Sequence, residues 1–234
     1  MADFSAIHLS CKPVRVALNR SHPVQLVAEN LNVIRGARVV IADVSLGVAA
    51  GESLLLTGPN GSGKTTLIRT IAGFLQPESG SVRLEGGDSE LDLGQQCHYV
   101  GHLTGTKSSL TVATNLAFWA EYLGGGDPHL STRERVSAAL ERFGLEPLAG
   151  IPAGFLSAGQ RRRLGLARIL LAKRPVWLLD EPTVSLDAAS TALLAEVVTA
   201  HVAGGGILVA ATHLPLGIEG AKYLRLGDSA AEAA

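Results

Sequence analysis

Apolar and polar residues alternate through VQLVAENLNVI (24–34) and VVIADVSLGVA (39–49). A period of two predicts a pair of strands, joined by the turn-like RGAR. The pattern then changes to short apolar runs. ESLLLTG, VWLLD and GILVAATH read as buried strands, and GSVRLEG and KYLRLG as two more. CHYV, just ahead of Gly101, has the same strand character. Helical spacing marks KTTLIRTIAGFL, LTVATNLAFWAEYLGG, STRERVSAALERFGL, SAGQRRRLGLARILLAKR and AASTALLAEVVTAHVAGG. The two middle helices open on a Thr or Ser cap and close near glycine. Strands alternating with helices predict an α/β fold with a mainly parallel core sheet, N-terminal antiparallel β elements and an inserted helical lobe over about residues 104–173. A single domain is expected over 24–228. Residues 1–23 read as a poorly ordered N-terminal extension, and 229–234 as a frayed Ala-rich tail.

Composition narrows the class. Hydrophobic residues are 47% and charged residues 18% of 234, enough to bury a substantial core. Mean hydropathy is positive, +0.27, yet the longest apolar runs are interrupted: Asp43 breaks one, and Arg168, Lys173 and Arg174 break another. None reaches the roughly 18–20 apolar residues a spanning helix needs. A net charge of −1 offers no electrostatic footprint for nucleic acid. The N-terminal MADFSAIHLSCKPVRVALNRSHP has no continuous apolar core and does not read as a secretory signal. Two cysteines, Cys11 and Cys97, make no disulfide framework and suit a reducing compartment.

The chemistry starts at GPNGSGKTT, which carries Gly58, Pro59, Asn60, Gly61, Ser62, Gly63, Lys64, Thr65 and Thr66 between a predicted strand and a predicted helix. Glycines let successive backbone N–H groups turn toward phosphates, and the helix N-terminus adds its positive end. Lys64 is placed to reach the β/γ-phosphates and Thr65 to offer a hydroxyl to Mg²⁺. A second element, VWLLDEP, is an apolar strand ending in Asp180 and Glu181. Asp180 suits Mg²⁺, and Glu181 suits orienting or deprotonating an attacking water. Together they predict a nucleoside triphosphatase.

LSAGQRRR (156–163) then resembles the LSGGQ signature of ATP-binding-cassette (ABC) ATPases, with Ala158 in place of the first glycine. VSLD (184–187) resembles their D-loop, and ATH puts their switch histidine at His213. The resemblance covers about residues 24–227 and implies a P-loop NTPase of the ABC nucleotide-binding type, with ATP and Mg²⁺ as ligands. It implies that Ser157, Ala158, Gly159 and Gln160 contact the γ-phosphate held by a second copy of the chain, in a head-to-tail homodimer of cassettes. Asp187 would couple the two sites, and His213 would contact the γ-phosphate and the catalytic water. The triple arginine 161–163 is expected on a solvated helix face, with a subunit contact as the alternative.

Two positions depart from the common ABC pattern. Where an aromatic usually stacks on adenine, this chain reads VIRGARVV, which leaves Arg35 or Arg38 to stack by its guanidinium plane. Where transporter ATPases usually read YVPQ before LTVxEN, the chain reads YVGH before LTVATN, so His102 replaces the glutamine. A histidine there would make hydrolysis more pH-sensitive than a glutamine. These departures resemble the CcmA family, the ATP-binding subunits of the haem-handling ABC complex of bacterial cytochrome c maturation. That resemblance implies membrane partners like CcmB, CcmC and CcmD and a place at the cytoplasmic face of the inner membrane. It also links ATP hydrolysis to release of the haem-loaded chaperone CcmE. FWAEYLGG (118–125) is expected in the helical-lobe core, with a groove for a CcmB coupling helix as the alternative.

Other functions compete. The same ATPase could serve an exporter or importer with different cargo. A soluble ABC protein acting on DNA or ribosomes would carry coiled-coil insertions or two cassettes, and neither is present. Haem or metal binding by the chain itself rests on Cys97, His98 and His102. Those three lack a C-x-x-C-H arrangement, and strand alternation sends Cys97 and His98 to opposite faces. Direct haem binding is therefore not expected.

Overall fold

The computed structural model describes residues 24–213 and 216–227; the expected extension 1–23 and tail 229–234 lie outside them. The alternating segments form β1 (Gln25–Arg35) and β2 (Arg38–Ala49), an antiparallel pair closed by the turn at Gly36 and Ala37. Arg35 and Arg38 face each other across the last register position. β4 (Ser79–Glu85) adds antiparallel to the other edge of β1, giving a three-stranded sheet of order β2-β1-β4.

The apolar runs form a second sheet. β3 (Ser53–Thr57), β5 (Cys97–Val100), β6 (Val176–Asp180), β7 (Ile207–Ala211) and β8 (Lys222–Arg225) pair in the order β5-β6-β7-β3-β8, every pairing parallel. Both faces of this sheet are covered, so its central strands are buried along their whole length, as near-continuous apolar runs require. Alternation divides them between two cores. Leu54, Leu56, Leu178, Val209 and Ala211 meet α1 (Lys64–Ile71) and the antiparallel sheet. Leu55, Leu179, Leu208 and Ala210 meet α5 (Ala188–Ala203) and the helical lobe.

That lobe, between β5 and β6, holds α2 (Val112–Leu123), α3 (Thr132–Arg142) and α4 (Ala158–Ala167). Each begins at the cap its sequence offers. Thr111 accepts from the Thr114 amide, and Ser131 with Glu134 and Ser157 with Gln160 form capping boxes. Two helices stop short of their predicted ends. α1 ends at Ile71 because the chain turns left-handed at Gly73 (φ 79°). α4 tightens into a 3-10 turn at Arg168–Leu170, where the Arg168 guanidinium donates to the Tyr99 carbonyl and lies over the Trp119 ring.

FWAEYLGG divides between its two expectations. Ala120 is buried and Trp119 donates its indole N–H to the Gly105 carbonyl. Phe118 and Tyr122 instead stack on each other in the open, 58% and 71% exposed, so a wholly internal placement does not hold for them. No helix among the described residues is long and apolar enough to cross a membrane.

Candidate active site

In an open parallel sheet, functional groups collect beyond the carboxyl ends of the strands. Here β3 runs into Gly58, β5 into Gly101 and His102, β6 into Glu181, and β7 toward His213. The loop from Gly58 to Gly63 winds through left-handed backbone at Gly58 (φ 131°), Gly61 (φ 81°) and Gly63 (φ 98°). Two of these glycines are also sterically required. A Cβ on Gly58 would lie 2.2 Å from the Leu226 carbonyl oxygen, and one on Gly63 would lie 2.7 Å from Ile41 Cδ1. The loop is therefore clamped between β2 and the end of β8. α1 opens directly from it, and its first amides have no intrahelical acceptor.

Lys64 is buried, and its ammonium donates to the Gly58 (2.8 Å) and Pro59 (3.0 Å) carbonyls of its own loop. The Thr65 hydroxyl donates to Asp180 Oδ1 at 3.0 Å, although 115 residues separate the two. Asp180 is 3% exposed at the end of β6. Ser62 Oγ is buried within the loop with no hydrogen-bond partner among the described residues. An unpaired buried hydroxyl, a cation and free amides make a site that suits an anion. The adjacent Thr65 and Asp180 oxygens suit a hard divalent cation.

Glu181 follows Asp180 with φ 48°, a left-handed backbone that non-glycine residues seldom adopt. That turn carries its carboxylate to His213. Glu181 Oε1 lies 3.2 Å from His213 Nε2, and the His213 amide donates to Oε2 at 3.3 Å. Each carboxylate oxygen thus has its own contact with one residue.

The other expected residues take no part in the Thr65–Asp180 or Glu181–His213 contacts. Arg35 and Arg38 are exposed at the hairpin tip, on the strand pair whose Val40 and Ile41 abut Gly63. His102 is exposed beyond β5, and among the described residues it makes no direct contact with the Glu181–His213 pair. Ser157, Ala158, Gly159 and Gln160 form the N-terminus of α4, with Ser157 and Ala158 exposed. Ser157 Oγ accepts from the Gln160 amide, which leaves the hydroxyl proton free to donate elsewhere. Among the described residues none of these four hydrogen-bonds to the P-loop of the same chain. Asp187 caps α5 by accepting from Ser190, a bond that holds its carboxyl below the usual range.

The triple arginine does not form a solvated face. Arg162 is 4% exposed and donates to the carbonyls of Gly101, Asp180, Glu181 and Pro182. Arg161 donates to the Leu156 carbonyl and Arg163 to the Phe143 carbonyl. Backbone oxygens left uncovered at the surrounding loops draw the guanidinium groups inward, which a run of charge in a helix does not reveal. Arg162 therefore borders the site with no signal of its own in the sequence.

Cys97 and His98 do point to opposite faces. Cys97 belongs to the core beneath the antiparallel sheet, where burial pushes its thiol up to about 12. His98 packs edge-on to Trp177 on the other side, its Nε2 donating to the Ala172 carbonyl, and burial lowers its pKa to about 3. Among the described residues no group of three His, Cys, Asp or Glu side chains is arranged to hold a metal ion.

Known proteins resemble this chain in family and fold. The ABC transporter family matches residues 41–184. A cytochrome c biogenesis ATP-binding export protein CcmA from Nitrobacter winogradskyi is 50% identical over 206 residues, 88% of this chain and 100% of that one. A protein of the same name from Chelativorans sp. is 52% identical over 204 residues, 87% of this chain and 98% of that one. A solved structure described as the ATP binding subunit of an ABC transporter superposes with a TM-score of 0.69. It is 27% identical, and the match covers 81% of this chain and 80% of that one.

Proposed function

Because the chain belongs to the ABC transporter family, and within it to the CcmA group, we infer that it is the ATP-hydrolysing subunit of a membrane complex that exports or handles haem for c-type cytochrome assembly. The observation that carries the catalytic part is the convergence of two pairs, Thr65 with Asp180 and Glu181 with His213, beyond the ends of adjoining parallel strands.

On this reading the P-loop amides from Gly58 to Thr66 and the Lys64 ammonium hold the phosphates of ATP. Lys64 exchanges the Gly58 and Pro59 carbonyls for phosphate oxygens, a swap that offsets most of the cost of leaving them. Mg²⁺, held by Thr65 and Asp180, would neutralise charge on the phosphates. Glu181 accepts a hydrogen bond from the attacking water and aims it, and His213 fixes the carboxylate's orientation and reaches the γ-phosphate. Arg35 or Arg38 covers the adenine face, and His102 borders the phosphates from the end of β5.

The second phosphate contact comes from another copy of the chain. Ser157, with its free hydroxyl proton, and the amides of Ala158, Gly159 and Gln160 form a helix N-terminus suited to the γ-phosphate in the partner's P-loop. Two copies then close head to tail on two nucleotides, and Asp187 near that seam links the sites. Membrane subunits like CcmB, CcmC and CcmD complete the complex at the cytoplasmic face of the inner membrane, and hydrolysis releases the haem-loaded chaperone.

Glu181→Gln tests the catalytic assignment. The variant should bind ATP with undiminished affinity, lose turnover and accumulate as an ATP-bound dimer on size exclusion. Hydrolysis at the unsubstituted rate would remove Glu181 from its role.

A further inference from the structure

Gly159, Arg162 and Gly165 recur at intervals of three along α4 and so share one helix face. All three are pressed against the chemistry-bearing loops. A Cβ on Gly159 would lie 2.9 Å from the Ser185 carbonyl oxygen, and one on Gly165 would lie 2.9 Å from the Thr104 side chain. Between them the Arg162 guanidinium donates to four backbone carbonyls: Gly101 (2.7 Å), Asp180 (3.0 Å), Glu181 (2.7 Å) and Pro182 (3.2 Å). Three of those acceptors are consecutive and carry the left-handed Glu181; the fourth immediately precedes His102. A non-glycine residue keeps such a backbone only where its surroundings impose it.

We propose that Arg162 is a positioning residue, which holds the Asp180–Pro182 backbone in the one conformation that keeps the Glu181 carboxylate on His213. The same fork ties that backbone to α4, the helix whose N-terminus carries Ser157 to Gln160, and to the segment leading to His102. A shift of α4 when its N-terminus meets a phosphate is thereby passed to the residue that aims the water. The role rests on the reading of Glu181 as that residue. It needs an arginine: a planar guanidinium has five donors in fixed directions, whereas an ammonium has three and no fork. Burial lowers the Arg162 pKa and the Asp180 and Glu181 charges oppose that, so the group stays cationic.

The test uses the full-length chain with Arg162→Gln and Arg162→Lys, and Glu181→Gln as reference. Affinity for a fluorescent ATP analogue, kcat, KM and the thermal midpoint are measured on each. Arg162→Gln should lose about 10²-fold in kcat, the effect of misplacing a catalytic group by roughly an ångström. KM and nucleotide affinity should stay unchanged, and Arg162→Lys should recover part of kcat. Unsubstituted kcat in folded Arg162→Gln, with Glu181→Gln inactive, overturns the proposal. So does a parallel loss of affinity and kcat, which would mark a purely structural role. Should Arg162→Gln fail to fold, Arg162→Lys decides: several-fold lower kcat at unchanged affinity supports the role, and full kcat refutes it. Full turnover in Glu181→Gln would instead overturn the reading beneath it.

Discussion

Acid should loosen this fold through two inward-packed histidines, one buried and one half-buried, well before its carboxylates protonate. His98 is 3% exposed, and its pKa is lowered to about 3 by burial. His201 stacks flat on Trp177 with ring centroids 3.8 Å apart, and burial lowers its pKa to about 4. Both rings must be neutral in the folded chain, whereas an unfolded histidine titrates near 6.5. Above pH 6.5 neither state binds the extra proton and stability is flat with respect to these groups. Below it the unfolded chain takes up protons that the folded chain refuses, so stability falls by about 1.4 kcal/mol per pH unit for each ring. At pH 5 the loss is about 2 kcal/mol per histidine, or roughly 4 kcal/mol for both. That is a large share of the 5–15 kcal/mol typical of a domain. The carboxylates with depressed pKa values, among them Glu52, Glu134 and Asp187, enter only at lower pH. Urea unfolding at pH 7.5 and 5.0 measures the difference, and His201→Phe, which preserves the stack on Trp177, should remove about half of it. Equal urea midpoints for the parent chain at the two pH values would refute the assignment of neutral rings.

Two further expectations follow from the site and from the segment around Cys97. Gly58→Ala would set a Cβ 2.2 Å from the Leu226 carbonyl in backbone only glycine tolerates. ATP affinity should fall tenfold or more and the thermal midpoint should drop; full affinity in a fluorescence titration would show that the loop is not clamped as described. Titrating haem into the purified chain should give no stoichiometric Soret shift, since Cys97 and His98 are buried on opposite faces of β5. A stoichiometric shift lost in His102→Ala would contradict this.

The parts of the fold readable in the sequence are those that local pattern determines. The two-residue period gave β1 and β2 with their turn, and unbroken apolar runs gave the strands of the parallel sheet, because burial on both faces leaves no polar positions. The P-loop was legible for the same reason: its glycines answer to the geometry of their own turn. What depends on distant partners was hidden. Nothing beside Arg162 indicates that one of its acceptors, Gly101, lies 61 positions away, so a run of three arginines reads as a wet helix face. Glu181 and His213 are each marked in the sequence, by a strand-end acid and by family resemblance, but nothing in it shows that the two, 32 positions apart, touch each other. Phe118 and Tyr122 sit at helical spacing with buried neighbours, and only the packing shows that they face outward. The early end of α4 has no glycine or proline to announce it. It coincides with the burial of Arg168, whose carbonyl partner on β5 is 69 positions away.

The central claim, that ATP hydrolysis by this chain drives c-type cytochrome assembly, is tested most directly in cells whose own CcmA gene has been replaced by this one. Covalently bound haem in membrane and periplasmic c-type cytochromes is measured by haem staining and by reduced-minus-oxidised spectra. The intact chain should restore the cytochromes, while Glu181→Gln, expressed to the same level, should leave them absent. Restoration by Glu181→Gln equal to that of the intact chain would contradict the account.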